Sequence, residues 1–138
     1  MHAMRSPATK IGKTGLLVGL MSLAVPAPAM APGFVLLDRI QKGAWQLKPT
    51  DGAAPHKICV RSGEELLAPR HARRNCSRYV VKDVADELTV HMTCGAAGHV
   101  RTTLRYETPR LVQIYTQGLD DGSPFSDSYE ARRTGGCG

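Results

Sequence analysis

The fold is decided by two alternating segments, Val100-Arg-Thr-Thr-Leu-Arg-Tyr-Glu107 and Leu111-Val-Gln-Ile-Tyr-Thr-Gln117. Apolar and polar residues alternate along both, which is the period-two pattern of a half-buried β-strand. Only Thr108-Pro-Arg110 separates them, so the pair predicts a β-hairpin. The residues predicted to face the core are Val100, Thr102, Leu104, Tyr106, Val112 and Ile114.

The same pattern continues on both sides of this hairpin. A second hairpin is predicted around a turn at Ala85, with Leu88, Val90 and Met92 facing inward. Further strands are predicted at 44–48, 57–60 and 125–133, the last one following a Gly- and Asp-rich loop at 118–124. These segments predict a mainly β domain, an antiparallel meander of about six or seven strands forming a curved sheet or partial barrel.

One or two short helices are expected beside the strands. Residues 34–42 form an amphipathic segment of one or two helical turns that Gly43 ends. Ser62-Gly-Glu-Glu65 has the arrangement of a capping box, with Ser62 as N-cap and Glu65 three positions later. A helix of two turns is therefore predicted there, ending by Pro69, since proline cannot continue a helix.

The first 29 residues have the organisation of a secretory signal peptide. Positive charge at Arg5, Lys10 and Lys13 precedes an uncharged apolar run over residues 15–25, and small residues follow. The run is shorter than the roughly 20 residues that span a bilayer, so no permanent membrane span is expected. The mature protein is predicted to be periplasmic or secreted.

Two positions match the small-residue pattern at which a signal peptidase cleaves, one after Ala29 and one after Ala31. We favour Ala29, because the later site would leave the constrained ring of Pro32 at the new N-terminus. The expected organisation is a signal peptide at 1–29, an N-terminal lead-in at 30–42 and one disulfide-stabilised β-rich domain at 43–138.

Cleavage would lower the charge of the protein. It removes three of the eighteen Lys and Arg residues and none of the twelve Asp and Glu residues, so the formal charge falls from +6 to +3. Aromatic residues are also few, and no stacking platform for bases is apparent. Nucleic acid is therefore not an expected partner.

All four cysteines, Cys59, Cys76, Cys94 and Cys137, follow the predicted signal, and an even number in an exported chain indicates two disulfides. No pair has the spacing of a structural zinc site. Cys76 and Cys94 each lie nine residues from Ala85, so a hairpin centred there would place them opposite one another. Cys59 would then pair with Cys137. A one-residue bulge would rotate Cys76 away, and Cys59–Cys76 with Cys94–Cys137 is the main alternative.

Several of these elements occur together in a known family. They are a Gly43-Ala-Trp45 strand, Cys59-Val60 before Ser62-Gly-Glu-Glu65, a hairpin with a cysteine at each end, and an Arg133-Thr-Gly-Gly-Cys137 terminus. From about residue 43 to 137 the chain resembles the small exported bacterial proteins grouped as domain-of-unknown-function family 3617. It departs from them in a shorter first hairpin loop and a longer loop at 118–124. The resemblance implies a periplasmic β-rich fold and carries no established activity.

The sequence assigns no catalytic residue, metal ligand or cofactor. His56, His71 and His99 are placed in turns or loops and His91 on the solvent side of a strand, so no histidines are predicted to converge. No nucleophile motif such as Gly-x-Ser-x-Gly occurs.

One charge cluster has two interpretations. It consists of Arg70, Arg73, Arg74, Arg78 and Lys82. It is either a solvated loop entering an edge strand, where positive charge discourages aggregation, or a patch that binds an anionic envelope component or protein.

The sequence favours an exported, non-enzymatic domain that binds a partner or has a structural role in the periplasm or envelope. One alternative is a carrier of a small apolar ligand, which requires an inner face too large for its own side chains. The other is an inhibitor of an exported hydrolase, presenting the loop at 69–75 or 118–124.

Overall fold

Residues 33–70 and 75–138, which the computed structural model describes, contain seven antiparallel strands in one sheet, and this confirms the mainly β prediction. The strands are β1 (Gly43–Pro49), β2 (His56–Val60), β3 (Ser77–Asp83), β4 (Glu87–Thr93), β5 (Gly98–Thr108), β6 (Leu111–Asp120) and β7 (Ser123–Gly135). The predicted signal peptide, and also His71, Arg73 and Arg74, lie outside the described residues.

The strand order is β2-β1-β7-β6-β5-β4-β3. Strands β3 to β7 form the predicted meander, while β1 pairs with the last strand, β7, and carries β2 on its other side. β2 and β3 are consecutive in sequence, yet they form the two opposite edges of the sheet. The sheet is therefore open within the described residues.

The inner face of the sheet forms the core, together with two non-strand segments. The predicted inward residues Leu88, Val90, Val100, Thr102, Leu104, Val112 and Ile114 are all buried, and Met92 and Tyr106 are partly buried against them. Leu36, Leu37 and Ile40 from the lead-in, and Leu66 and Leu67 after β2, join the same cluster. The lead-in expected at 30–42 thus supplies core residues, because one sheet face needs a second layer to cover it.

The helical segments are shorter than predicted. The described residues contain three 3₁₀ turns, Leu37–Arg39, Glu64–Leu66 and Gly95–Ala97. The predicted capping box forms only in part: the Ser62 N–H donates to the Glu65 carboxylate at 3.3 Å, but the Ser62 Oγ accepts from the Glu64 N–H at 3.2 Å and not from Glu65. The residue at the N-cap is Gly63, with φ +99°, and not Ser62 as predicted. The helix stops after one turn, because Leu66 and Leu67 both enter the core and Pro69 follows.

The prediction of a loop at 118–124 is wrong. β6 continues to Asp120 and β7 begins at Ser123, so only Asp121 and Gly122 form the turn. Both have positive φ, 49° and 84°. An Asp-Gly pair with this conformation matches the right-handed twist of a hairpin and needs no longer loop.

Both disulfides have the favoured pairing, Cys59–Cys137 and Cys76–Cys94, which excludes the alternative. A hairpin centred at Ala85 would pair Asp83 with Glu87, but Asp83 pairs with Leu88. The centre of the turn between β3 and β4 therefore lies half a residue further along the chain than predicted. A bulge at Val81 shifts the register by one residue. The ladder beyond it therefore brings Cys76 opposite Cys94, so here the bulge creates the alignment that a bulge was expected to destroy.

Candidate anion-binding surface

Arg70, the first residue of the predicted basic cluster, is held by the end of the sheet. Its Nε lies 2.6 Å from Asp127 Oδ2, and the Tyr129 hydroxyl donates to the same oxygen at 3.2 Å. The Arg70 hydrogen bond holds the pKa of the Asp127 carboxyl below its usual value, although burial acts in the opposite direction. Burial and the neighbouring Asp127 charge raise the pKa of Tyr129. The positive charge of Arg70 is therefore compensated inside the protein.

Arg78 and Lys82 also have carboxylate partners. Arg78 Nη1 lies 2.8 Å from Glu64 Oε1, which connects the edge strand to the turn after β2. Lys82 Nζ lies 3.3 Å from Glu87 Oε1 across the β3–β4 hairpin. These ion pairs are partly exposed, so each adds little to stability, but each lowers the local positive potential.

The bulge at Val81 separates these two cations. Arg78 pairs with Met92, which faces inward, whereas Lys82 pairs with Thr89 on the outer face. In a regular strand, residues four apart would share a face. Arg78 and Lys82 therefore belong to different surfaces, and the described residues of the cluster do not form one patch.

An arginine without a carboxylate partner lies on the outer face instead. Five residues stand directly opposite one another across β3 to β7, and we call them the outer-face row: Tyr79, His91, Arg101, Gln117 and Ser126. Arg101 is exposed, and no carboxylate of residues 33–70 or 75–138 lies within ion-pair distance of it. The row crosses five strands, a span of about 19 Å at the usual strand spacing.

Two histidines stack beside Arg101. The rings of His91 and His99 have centroids 5.7 Å apart and planes inclined by 28°. His99 lies in β5 and His56 in β2, so both are strand residues and not loop residues as predicted. Within the part of the chain that the structure describes, no three His, Cys, Asp or Glu side chains are placed to hold a metal ion. The histidines instead add hydrogen-bond donors next to the arginine.

A shallow groove of about 250 Å³ opens on the same face. Its lining includes Arg101, Thr103, Tyr115, Gln117, Ser126 and Ser128. Hydroxyl, amide and guanidinium groups thus line one depression, and Tyr115, 43% exposed, contributes an accessible aromatic ring. Asp127 also belongs to the lining, and its carboxylate is bound by Arg70. Such a surface can bind a polar, negatively charged ligand from several directions at once.

The alternation of residues in β5 and β6 indicates this surface, although these residues form no continuous run of charge in the sequence. Arg101 and Thr103 alternate with the inward residues of β5, and Tyr115 and Gln117 do the same in β6. Listing the outward positions of adjacent strands side by side would place them together. A search for cations close in sequence selects 70–82 instead.

Comparison with known proteins gives no match, whether the chain is compared with family models, with curated proteins or with solved structures. The resemblance to family 3617 stays an expectation from the sequence. Separately, none of the helical segments in the described ranges has the length and apolar character needed to cross a membrane.

Proposed function

We propose that this chain is an exported, non-enzymatic binding domain of the bacterial cell envelope, in keeping with its resemblance to family 3617. The predicted signal peptide supports export, and so do the two disulfides, since such bonds persist in oxidising compartments. Its partner is an anionic component or protein of the envelope, bound on the outer face of the sheet.

The observation that carries this proposal is the difference between Arg101 and the predicted cluster. Arg70, Arg78 and Lys82 each meet a carboxylate of the same chain, whereas Arg101, in the middle of the sheet, has none within ion-pair distance among the residues that the structure describes. An exposed guanidinium beside hydroxyl and amide groups is suited to binding a carboxylate or phosphate.

The two alternatives from the sequence have less support. A carrier would need space on the inner face, but Leu36, Trp45 and Leu66 are fully buried against it and fill that side of the sheet. An inhibitor would need a presented loop, and residues 118–124 form a tight hairpin. Most of the other predicted loop, 69–75, lies outside the described residues.

Retention on a heparin-type matrix tests the proposal. We expect Arg101→Ala to elute at clearly lower salt than wild type, because its charge is uncompensated and screening by salt weakens such contacts. Arg105→Ala, another exposed arginine of β5, is the matched control, since it lies outside both the outer-face row and the groove and should change retention less. A triple Arg70, Arg73 and Arg74 change to Ser should retain most binding.

Two outcomes of the retention experiment would contradict the proposal. If the triple variant loses retention and Arg101→Ala does not, the basic segment is the binding site and the outer-face proposal fails. If wild type is not retained at all, an anionic partner is the wrong class.

A further inference from the structure

We propose that the ligand of the outer-face row is a linear polymer of carboxylated sugars lying across strands β3 to β7. This inference rests on the proposed function and names the chemistry of its partner. It follows from the order in which aromatic, cationic and hydroxyl-bearing side chains occur across the sheet.

Exposed aromatic rings lie on both sides of the arginine. Tyr79, on the edge strand, is 70% exposed, and Tyr115, on β6, is 43% exposed. A tyrosine ring combines an apolar face with a polar hydroxyl, so it can pack against the C–H face of a sugar ring while its oxygen bonds to a sugar hydroxyl. Two such rings on one face suit a ligand with ring units repeated along its length.

The density of positive charge favours sugar carboxylates over phosphate polymers. Arg101 is the arginine of the row, and His91 and His99 beside it provide imidazole donors. Polymers of phosphate diester are bound by several Lys or Arg residues at once, since each phosphate carries a charge. A chain with widely spaced carboxylates needs one bidentate guanidinium together with neutral donors.

The rest of the row consists of neutral hydrogen-bonding groups. Gln117 and Ser126 continue it, and Thr103 and Ser128 lie in the neighbouring row around Tyr115. These groups donate and accept, which matches the hydroxyls of a sugar. The row is also long enough, at about 19 Å, to contact several consecutive rings.

Calorimetric titration of the oxidised mature protein with three probes tests the inference. Polygalacturonate presents acidic sugars, dextran presents neutral sugars, and polyphosphate presents charge without sugars. We expect binding of polygalacturonate, at most weak binding of polyphosphate, and none of dextran.

The tyrosine variants separate stacking from charge. Tyr79→Ser and Tyr115→Ser should each weaken polygalacturonate binding about threefold to tenfold, and the Phe variants should retain most of it, because the ring supplies the contact. Val80→Ser is the matched control, since Val80 is exposed on the same strand but pairs with the inward Val90. All these side chains are exposed, so thermal unfolding should change little.

The outcomes distinguish the two proposals. If polyphosphate binds as tightly as polygalacturonate and the Tyr→Ser variants change neither, the sugar inference is wrong while anion binding stands. If an acidic peptide binds and both polysaccharides fail, the partner is a protein and the inference is likewise overturned. If no anionic probe binds, the proposed function itself fails.

Discussion

Removing the Cys59–Cys137 disulfide should destabilise the fold more than removing Cys76–Cys94. The first bond joins residues 78 apart in sequence and ties β2 to the end of the chain after β7, while the second joins residues 18 apart within one hairpin. If a disulfide acts by restricting the unfolded chain, its contribution grows with the logarithm of loop length, giving about 4.5 kcal/mol for the long loop and about 3.2 kcal/mol for the short one. The expected difference in the free energy of unfolding is about 1.3 kcal/mol.

Urea unfolding of the two double Cys→Ala variants measures this difference. Trp45 is the single tryptophan and is fully buried, so its fluorescence reports the loss of the core. Equal slopes against urea would show that both variants unfold from comparable states. If the Cys76–Cys94 variant proves equally or more destabilised, loop closure does not set the order, and contacts of the edge strand in the folded state must contribute instead.

Three further predictions concern acid stability, backbone geometry and processing. Arg70 lowers the pKa of Asp127 in the folded state, so the stability that this pair contributes is complete above the carboxyl pKa of the unfolded chain and is lost as the pH falls through the folded-state pKa. The urea midpoint of Asp127→Asn should therefore fall less steeply than that of wild type below about pH 4. Parallel curves for the two proteins would contradict this. Gly98→Ala should cost about 2 kcal/mol or more in thermal or urea unfolding, because the residue has φ +115° and a Cβ would lie 2.0 Å from a carbonyl oxygen of β6, whereas Gly136→Ala, with open space around it, should change stability little. Mass spectrometry of the protein from envelope extract should give a chain that starts at Met30, and an uncleaved N-terminus would refute the predicted signal peptide.

The core of this fold is readable from the sequence because it depends on local periodicity. The alternation in 100–117 identified the buried face, including Leu104 and Ile114 at zero exposure. The same reasoning did not place the leucines of the lead-in, since Leu36 and Leu37 have no period-two pattern and are buried by a sheet that is distant in sequence.

The predicted cationic cluster failed as a single patch for a similar reason. Arg70 meets Asp127, 57 residues further along the chain. The partner of Arg78, Glu64, lies in the connection that leads from β2 at one edge of the sheet to β3 at the other. A run of basic residues with no nearby acid looks uncompensated in sequence, but the order of strands decides which carboxylates face it. Arg101 shows the converse, because its neighbours on the adjacent strands are His91 and Gln117, and no carboxylate of the described residues comes within ion-pair distance of it.

The bulge at Val81 accounts for both the position of the hairpin disulfide and the division of the cationic cluster. Counting back from the turn in a regular ladder, Cys76 would lie opposite Gly95, and Arg78 would share the outer face with Lys82. One extra residue in β3 reverses both relations, since it aligns the two cysteines and turns Arg78 toward the core side. The correct disulfide and the divided cluster therefore have the same origin. Alternation alone cannot show a bulge, because it specifies the faces of a strand only where pairing is continuous. The cysteine spacing gave the correct pairing without revealing the bulge, because a regular hairpin centred at Ala85 and the bulged hairpin with its later turn place Cys76 opposite the same residue.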